Sequence, residues 1–149
     1  MDVIDKSEIW DAIVRDLNEL SGYELRVGVQ GDEGSAIYDE ADGVTVAEVA
    51  AKNEFGTDKI PSRPFMRQSA EKHENWGEEM GEVWNSVIDG NNPKTAMHLI
   101  GQKIMGDIQE EIATGDFVPN APYTIKKKGS DRPLIDTGQL RKSITYKVE

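Results

Sequence analysis

Apolar residues fall into two rhythms along this chain. Near the start, Ile9, Trp10, Ile13, Val14, Leu17 and Leu20 recur at helical spacing and predict a helix over 6–20, stopped by Ser21-Gly22. The period then drops to two. Tyr23, Leu25, Val27 and Val29 alternate with Glu24, Arg26 and Gly28, which predicts a half-buried strand. Residues 31–43 are rich in Gly, Asp and Glu. Ala36-Ile-Tyr38 reads there as a second short strand, so the region is expected to be a hairpin with a mobile acidic loop at its tip. Thr45 and Glu48 stand at capping-box spacing and open a helix to about Phe55, which Gly56 ends. Pro61 and Pro64 then impose an extended bend.

A long helix is expected over 65–88. Met66, Ala70, His73, Gly77, Met80, Trp84 and Val87 share one face, and Glu71, Glu74, Glu78 and Glu82 share another. Like charges at that spacing repel by roughly 0.2–0.5 kcal/mol per pair. Asp89-Gly90-Asn91-Asn92-Pro93 is a turn, with Asn92 as N-cap and Pro93 at the first helical position. The second long helix runs to about 113 on the stripe Met97, Ile100, Gly101, Ile104, Met105, Ile108 and Ile112. Gly101 and Gly106 each cost that helix about 1 kcal/mol relative to Ala, which makes sense if another backbone packs closely there. A basic segment at about 117–135 is expected to be extended. Asp136 or Thr137 then caps a helical turn over 139–142. Ile144, Tyr146 and Val148 alternate with Ser143, Thr145 and Lys147, so the chain is expected to end on a strand built into the core. The expected fold class is α+β: a small antiparallel sheet, made of the early hairpin plus the C-terminal strand, packed against several helices including two long ones.

At 149 residues the chain is expected to be one domain spanning 1–149. The absence of cysteine excludes disulfides, thiolate metal sites and cysteine nucleophiles, and fits a reducing cytoplasm. No apolar run approaches the roughly 18 residues of a membrane span, and the acidic first residues carry no signal-peptide pattern. A soluble, cytosolic product is therefore expected. Net charge is −10 over residues 1–60, −5 over 61–120 and +4 over 121–149, giving −11 in all. An acidic body argues against gripping a nucleic-acid duplex, which takes several Lys or Arg contacts to phosphate.

Candidate chemistry is sparse. His73 lies on an apolar helix face and His98 flanks one, so both read as structural histidines, and neither sits in a zinc-binding spacing. Gly28-Val-Gln-Gly-Asp-Glu-Gly34 lacks the spacing of a dinucleotide loop, and its acids would repel phosphate. Asp39-Glu-Ala-Asp-Gly43 lacks the alternating ligands of a calcium loop. Lys126-Lys-Lys-Gly-Ser130 reads as a basic surface segment. No catalytic residue, metal ligand or cofactor-binding residue is assigned.

Three segments in order carry a resemblance. They are Val46-Ala-Glu-Val-Ala-Ala-Lys-Asn-Glu-Phe-Gly-Thr57 leading to Ile60-Pro-Ser-Arg-Pro-Phe-Met66, then Ala121-Pro-Tyr-Thr-Ile-Lys-Lys-Lys-Gly129, then Pro133-Leu-Ile-Asp-Thr-Gly-Gln-Leu-Arg-Lys-Ser-Ile144. Their order and spacing resemble the tail-completion and neck proteins of tailed bacteriophages, also labelled virion morphogenesis proteins, from about Tyr23 onward. The resemblance implies a non-enzymatic virion subunit made in the bacterial host cytoplasm and placed at the head–tail junction. It implies a homo-oligomeric ring that joins head connector or adaptor proteins to the tail tube or its terminator, with DNA passing close by and no membrane partner. Subunit-interface candidates are Phe55, Arg63, Phe65, Leu134, Asp136, Thr137, Leu140 and Arg141. The bend at 61–65 either only routes the chain between helices or offers Arg63 and Phe65 to a neighbour. Glu71, Glu74, Glu78 and Glu82 either line the channel or meet a neighbour's basic tail. A minor tail or tail-terminator protein is the alternative; a virion-assembly hydrolase and a DNA-binding module using residues 126–142 are the remote ones.

Overall fold

The computed structural model describes residues 6–39, 42–129, 131–134 and 138–149. Within them lie eight helices and two strands. In chain order these are α1 (Lys6–Ser21), β1 (Leu25–Val29), α2 (Gly31–Ser35), α3 (Val46–Phe55), α4 (Phe65–Lys72), α5 (Trp76–Ile88), α6 (Pro93–Thr114), α7 (Pro122–Lys128), α8 (Gln139–Lys142) and β2 (Ile144–Val148). The fold is α+β, with β1 and β2 forming one antiparallel sheet packed against helices that include the long α6. Glu24 and Glu149 exchange both backbone hydrogen bonds, at 2.7 and 2.9 Å. That register sets Leu25 opposite Val148 and Val29 opposite Ile144.

The chain packs as two compact units, one of Met1–Arg26, Asn75–Ile104 and Tyr146–Glu149, the other of Val27–Glu74 and Met105–Thr145. In the first unit α1 packs against α5. Leu20, Val83, Val87, Ala96, Met97 and Ile100 form its core, with Leu17, Leu25, Met80 and Val148 packed against it. Gly101 is required there. A Cβ on it would lie 2.5 Å from Cδ2 of Tyr146 and 3.0 Å from Cδ1 of Leu25. The close approach is by side chains, whereas the sequence suggested another backbone, and Gly106 meets nothing within 4 Å.

In the second unit α3 is the hub, touched by α2, α4 and α8. The capping box opens it as expected: Thr45 Oγ1 accepts from the Glu48 amide at 3.2 Å, and the Glu48 carboxylate accepts from the Thr45 amide at 2.8 Å. Val46, Phe65, Ile112 and Ile144 are each 1% exposed or less, and Ile108 and Leu140 are 2% exposed. Gly56 closes α3 at φ 74°, and a Cβ there would lie 2.9 Å from the Ser62 amide nitrogen. Only glycine fits that turn.

Four sequence expectations give way. The hairpin after β1 is replaced by α2; Ile37 forms only an isolated antiparallel bridge with Thr45. The acids Asp32 and Glu33 sit in the first turn of α2, where the helix dipole favours them. The long helix over 65–88 is two helices, α4 and α5, interrupted at 73–75. Glu78 and Glu79 thereby fall in a first helical turn, where negative charge stabilises, instead of repelling inside a continuous helix. α6, at 22 residues, is thus left without the expected long partner, α5 having 13. The segment expected to be extended contains α7, with Pro122 at its start, three lysines in its last turn and Gly129 left-handed after it. Each of those is a helix signal. The expected cap residues Asp136 and Thr137 lie outside the described residues. Asn92 does cap α6, its Oδ1 accepting from the Thr95 amide at 3.0 Å.

The two α6 glycines should respond oppositely to alanine. Gly101→Ala should destabilise the protein by about 1–3 kcal/mol through overpacking. Gly106→Ala should stabilise it by up to about 1 kcal/mol. Thermal unfolding of the two variants checks both signs.

Candidate functional site

Three polar clamps fix the second unit, and each joins segments far apart in the chain. Arg63, 6% exposed, donates from Nε to the Val118 carbonyl at 2.7 Å and from Nη2 to the Pro119 carbonyl at 3.2 Å. Burial pushes its guanidinium below the ordinary arginine value. Glu54, 9% exposed, accepts from the amides of Met66 and Arg67 at 2.9 and 3.2 Å, and so caps α4 from the end of α3. Gln139 accepts from the Asp39 amide and donates to the Ile37 carbonyl, each at 2.9 Å. Its primary amide pairs with the chain there much as a strand would.

Arg63 of the first clamp also lines a cleft of about 290 Å³. Val49, Asn53, Lys59, Ile60, Pro61 and Arg63 come from the first motif segment and its bend, Ala121, Thr124 and Lys128 from the second, and Leu134 and Leu140 from the third, with Tyr38 and Asn120 completing the lining. Among the described residues the lining has amide, ammonium and hydroxyl groups beside apolar ones, but no carboxylate and no imidazole. Such a surface can bind through hydrogen bonds and apolar contact.

Several other part-buried ionisable groups are held in pairs. Glu111, 4% exposed, accepts two hydrogen bonds from Lys72 Nζ at 2.9 and 2.7 Å. His73 Nδ1 lies 3.6 Å from Asp107, and His98 Nδ1 shares a 3.2 Å hydrogen bond with the Tyr146 hydroxyl. Ser69 lies one turn before His73, but it is 0% exposed and its Oγ makes no hydrogen bond among the described residues. No substrate reaches a nucleophile placed there. Among the described residues no cluster of His, Asp or Glu is arranged to hold a metal ion, and no helix is long and apolar enough to cross a membrane.

The sequence-derived interface candidates separate by exposure. Phe55 is 75% exposed at the end of α3, and Arg141 is exposed on α8. Arg63, Phe65 and Leu140 are buried in their own unit, so the bend does not offer Arg63 or Phe65 to a neighbour. The reason is that carbonyls of residues 118 and 119 claim the guanidinium and the core claims the ring. Leu134 is half-buried in the cleft with a positive φ of 66°. Asp136 and Thr137 lie outside the described residues. Of the four channel candidates, Glu71 lies on α4, Glu74 in the turn after it, and Glu78 and Glu82 on α5, all four exposed. The stripe they would have formed on one helix is broken. Sequence reasoning missed Glu54 and Gln139. Neither shows a local signal, because both bond to backbone more than ten residues away.

No protein-family model, curated protein or solved structure matches the chain.

Arg63→Met should destabilise the protein by about 2–4 kcal/mol, because the Val118 and Pro119 carbonyls lose their donors inside the fold. Chemical denaturation checks it, and Arg63→Lys should not restore the loss, since one ammonium cannot reproduce the fork. The α3 cap predicts a pH effect. Hydrogen bonding from the Thr45 amide, then from its hydroxyl, holds the Glu48 carboxyl below its ordinary 4.5. A depressed carboxylate contributes stability above its unfolded value and loses it as pH falls through the folded one. Thermal midpoints at neutral and acid pH should therefore differ less in Glu48→Gln than in the parent chain.

Proposed function

We propose that this chain is a structural subunit of the head–tail junction of a tailed bacteriophage, and that copies of it close into a ring around the DNA channel. One observation carries the reading. The first of the three segments that resemble neck and tail-completion proteins lies more than fifty residues before the other two, yet all three line one cleft in the second unit. A shared motif set that converges on one binding surface is what a joint between subunits needs.

The cleft's chemistry supports a joint over a reaction centre. Lys59, Lys128, Asn53 and Asn120 supply polar groups, and Ile60, Leu134 and Leu140 supply apolar wall. A neighbouring subunit in a closed ring meets this surface through a different one, a heterologous contact. Phe55 and Arg141, both exposed, are the candidates for that second surface. The exposed acids Glu71, Glu74, Glu78 and Glu82 suit a channel that lets DNA slide, because negative walls do not hold phosphate.

Cryo-electron microscopy of particles carrying a tagged copy should place ring density for this chain at the junction. Phe55→Ser should lower incorporation severalfold while leaving the monomer's unfolding curve unchanged. Finished particles lacking the chain, or undiminished incorporation of the variant, would sink the reading.

A further inference from the structure

The cleft of the second unit is basic and partly apolar, in a chain that is acidic as a whole. Lys59 and Lys128 line it, and Lys126 and Lys127 stand exposed beside Lys128 in the last turn of α7. Among the described residues no carboxylate lines it, although acids outnumber Lys and Arg by 28 to 17 over the whole chain. Val49, Ile60, Leu134 and Leu140 give it an apolar wall. Charge and wall together call for an occupant that carries a carboxylate next to a bulky apolar group.

The beginning of this chain has that chemistry. Residues 1–11 hold Asp2, Asp5, Glu8 and Asp11 against a single base, Lys6. Every residue from 6 to 11 is exposed. Trp10 is 66% exposed, and Val14, one turn further along α1 and so on the same face, is 39% exposed. Asp11 follows the indole directly. Tryptophan seated in a pocket is among the commonest anchors of a protein–protein contact.

We propose that the first turns of α1 of one copy dock in the cleft of the next, with Trp10 against the apolar wall and Asp11 toward Lys59 and Lys128. The inference rests on the reading of the cleft as a joint between subunits, and it names what enters that joint. The two surfaces differ, so the contact is heterologous. Each copy offers α1 to one neighbour and its cleft to the other, which is the arrangement that closes into a ring. Opposite charges face each other across it, so salt weakens it.

Sedimentation velocity on the full chain, over a concentration series in low and high salt, tests the contact. The expected result is association that grows with concentration and is weaker in high salt. Trp10→Ala removes the anchor, and Lys59→Glu with Lys128→Glu reverses the cleft. Each should weaken association by about tenfold or more, while circular dichroism stays unchanged. Mixed in equal amounts, the two variants should form a heterodimer, because one keeps its cleft and the other keeps its α1. A parent chain that stays monomeric at every concentration overturns the proposal. So does a Trp10→Ala variant that associates as tightly as the parent, or a mixture no more associated than its parts. Particles that carry the Trp10→Ala chain at the junction at the parent's level overturn this contact and leave the ring reading standing. Association abolished by both variants and restored by mixing them, with no ring at the junction, supports the contact and fails the junction reading.

Discussion

The buried guanidinium of Arg63 is the constraint on which the second unit depends. Its two donors reach the carbonyls of Val118 and Pro119, tying the bend after α3 to the segment after α6. Among the described residues the sheet has two strands, so many backbone groups brought together from separate segments are satisfied another way. Side chains do it: Arg63 for two carbonyls, Glu54 for two amides and Gln139 for one of each. A buried charge removed from such a clamp leaves its partners bare, which is why one residue holds so much of the local structure.

The first unit is held by a different interaction. Its core is an apolar cluster from α1, α5 and α6, closed over by Leu25, Val148 and the Tyr146 ring above Gly101. That core uses only part of the available apolar surface. The stripe of α1 runs from Ile9 to Leu20, but only Leu20 in it is fully buried.

The cleft is built from discontinuous segments, so its shape depends on how the second unit folds. The net charge of −11 opposes the approach of any two copies, so contacts between them must be well shaped to form at all.

Local signals were legible in the amino-acid sequence. The stripe of α1, the Thr45–Glu48 capping box, the Asn92 cap, the end of α3 at Gly56 and the alternation of β2 all rest on interactions within about four residues, which any chain order displays. The pairing of the first and last strands also followed, because both alternate and both need a covered face. The signals of α7 were present too, in Pro122, the lysine run and Gly129, but the basic composition masked them. The break at 73–75, the bridge of Ile37 to Thr45, the burial of Arg63 and Glu54 and the hydrogen bonds of Gln139 were decided only in three dimensions. A charged or amide side chain turns inward when unpaired backbone groups come within reach of it, and those groups belong to residues 12 to 102 positions away. Periodicity carries no record of such meetings, and the packed chain creates them.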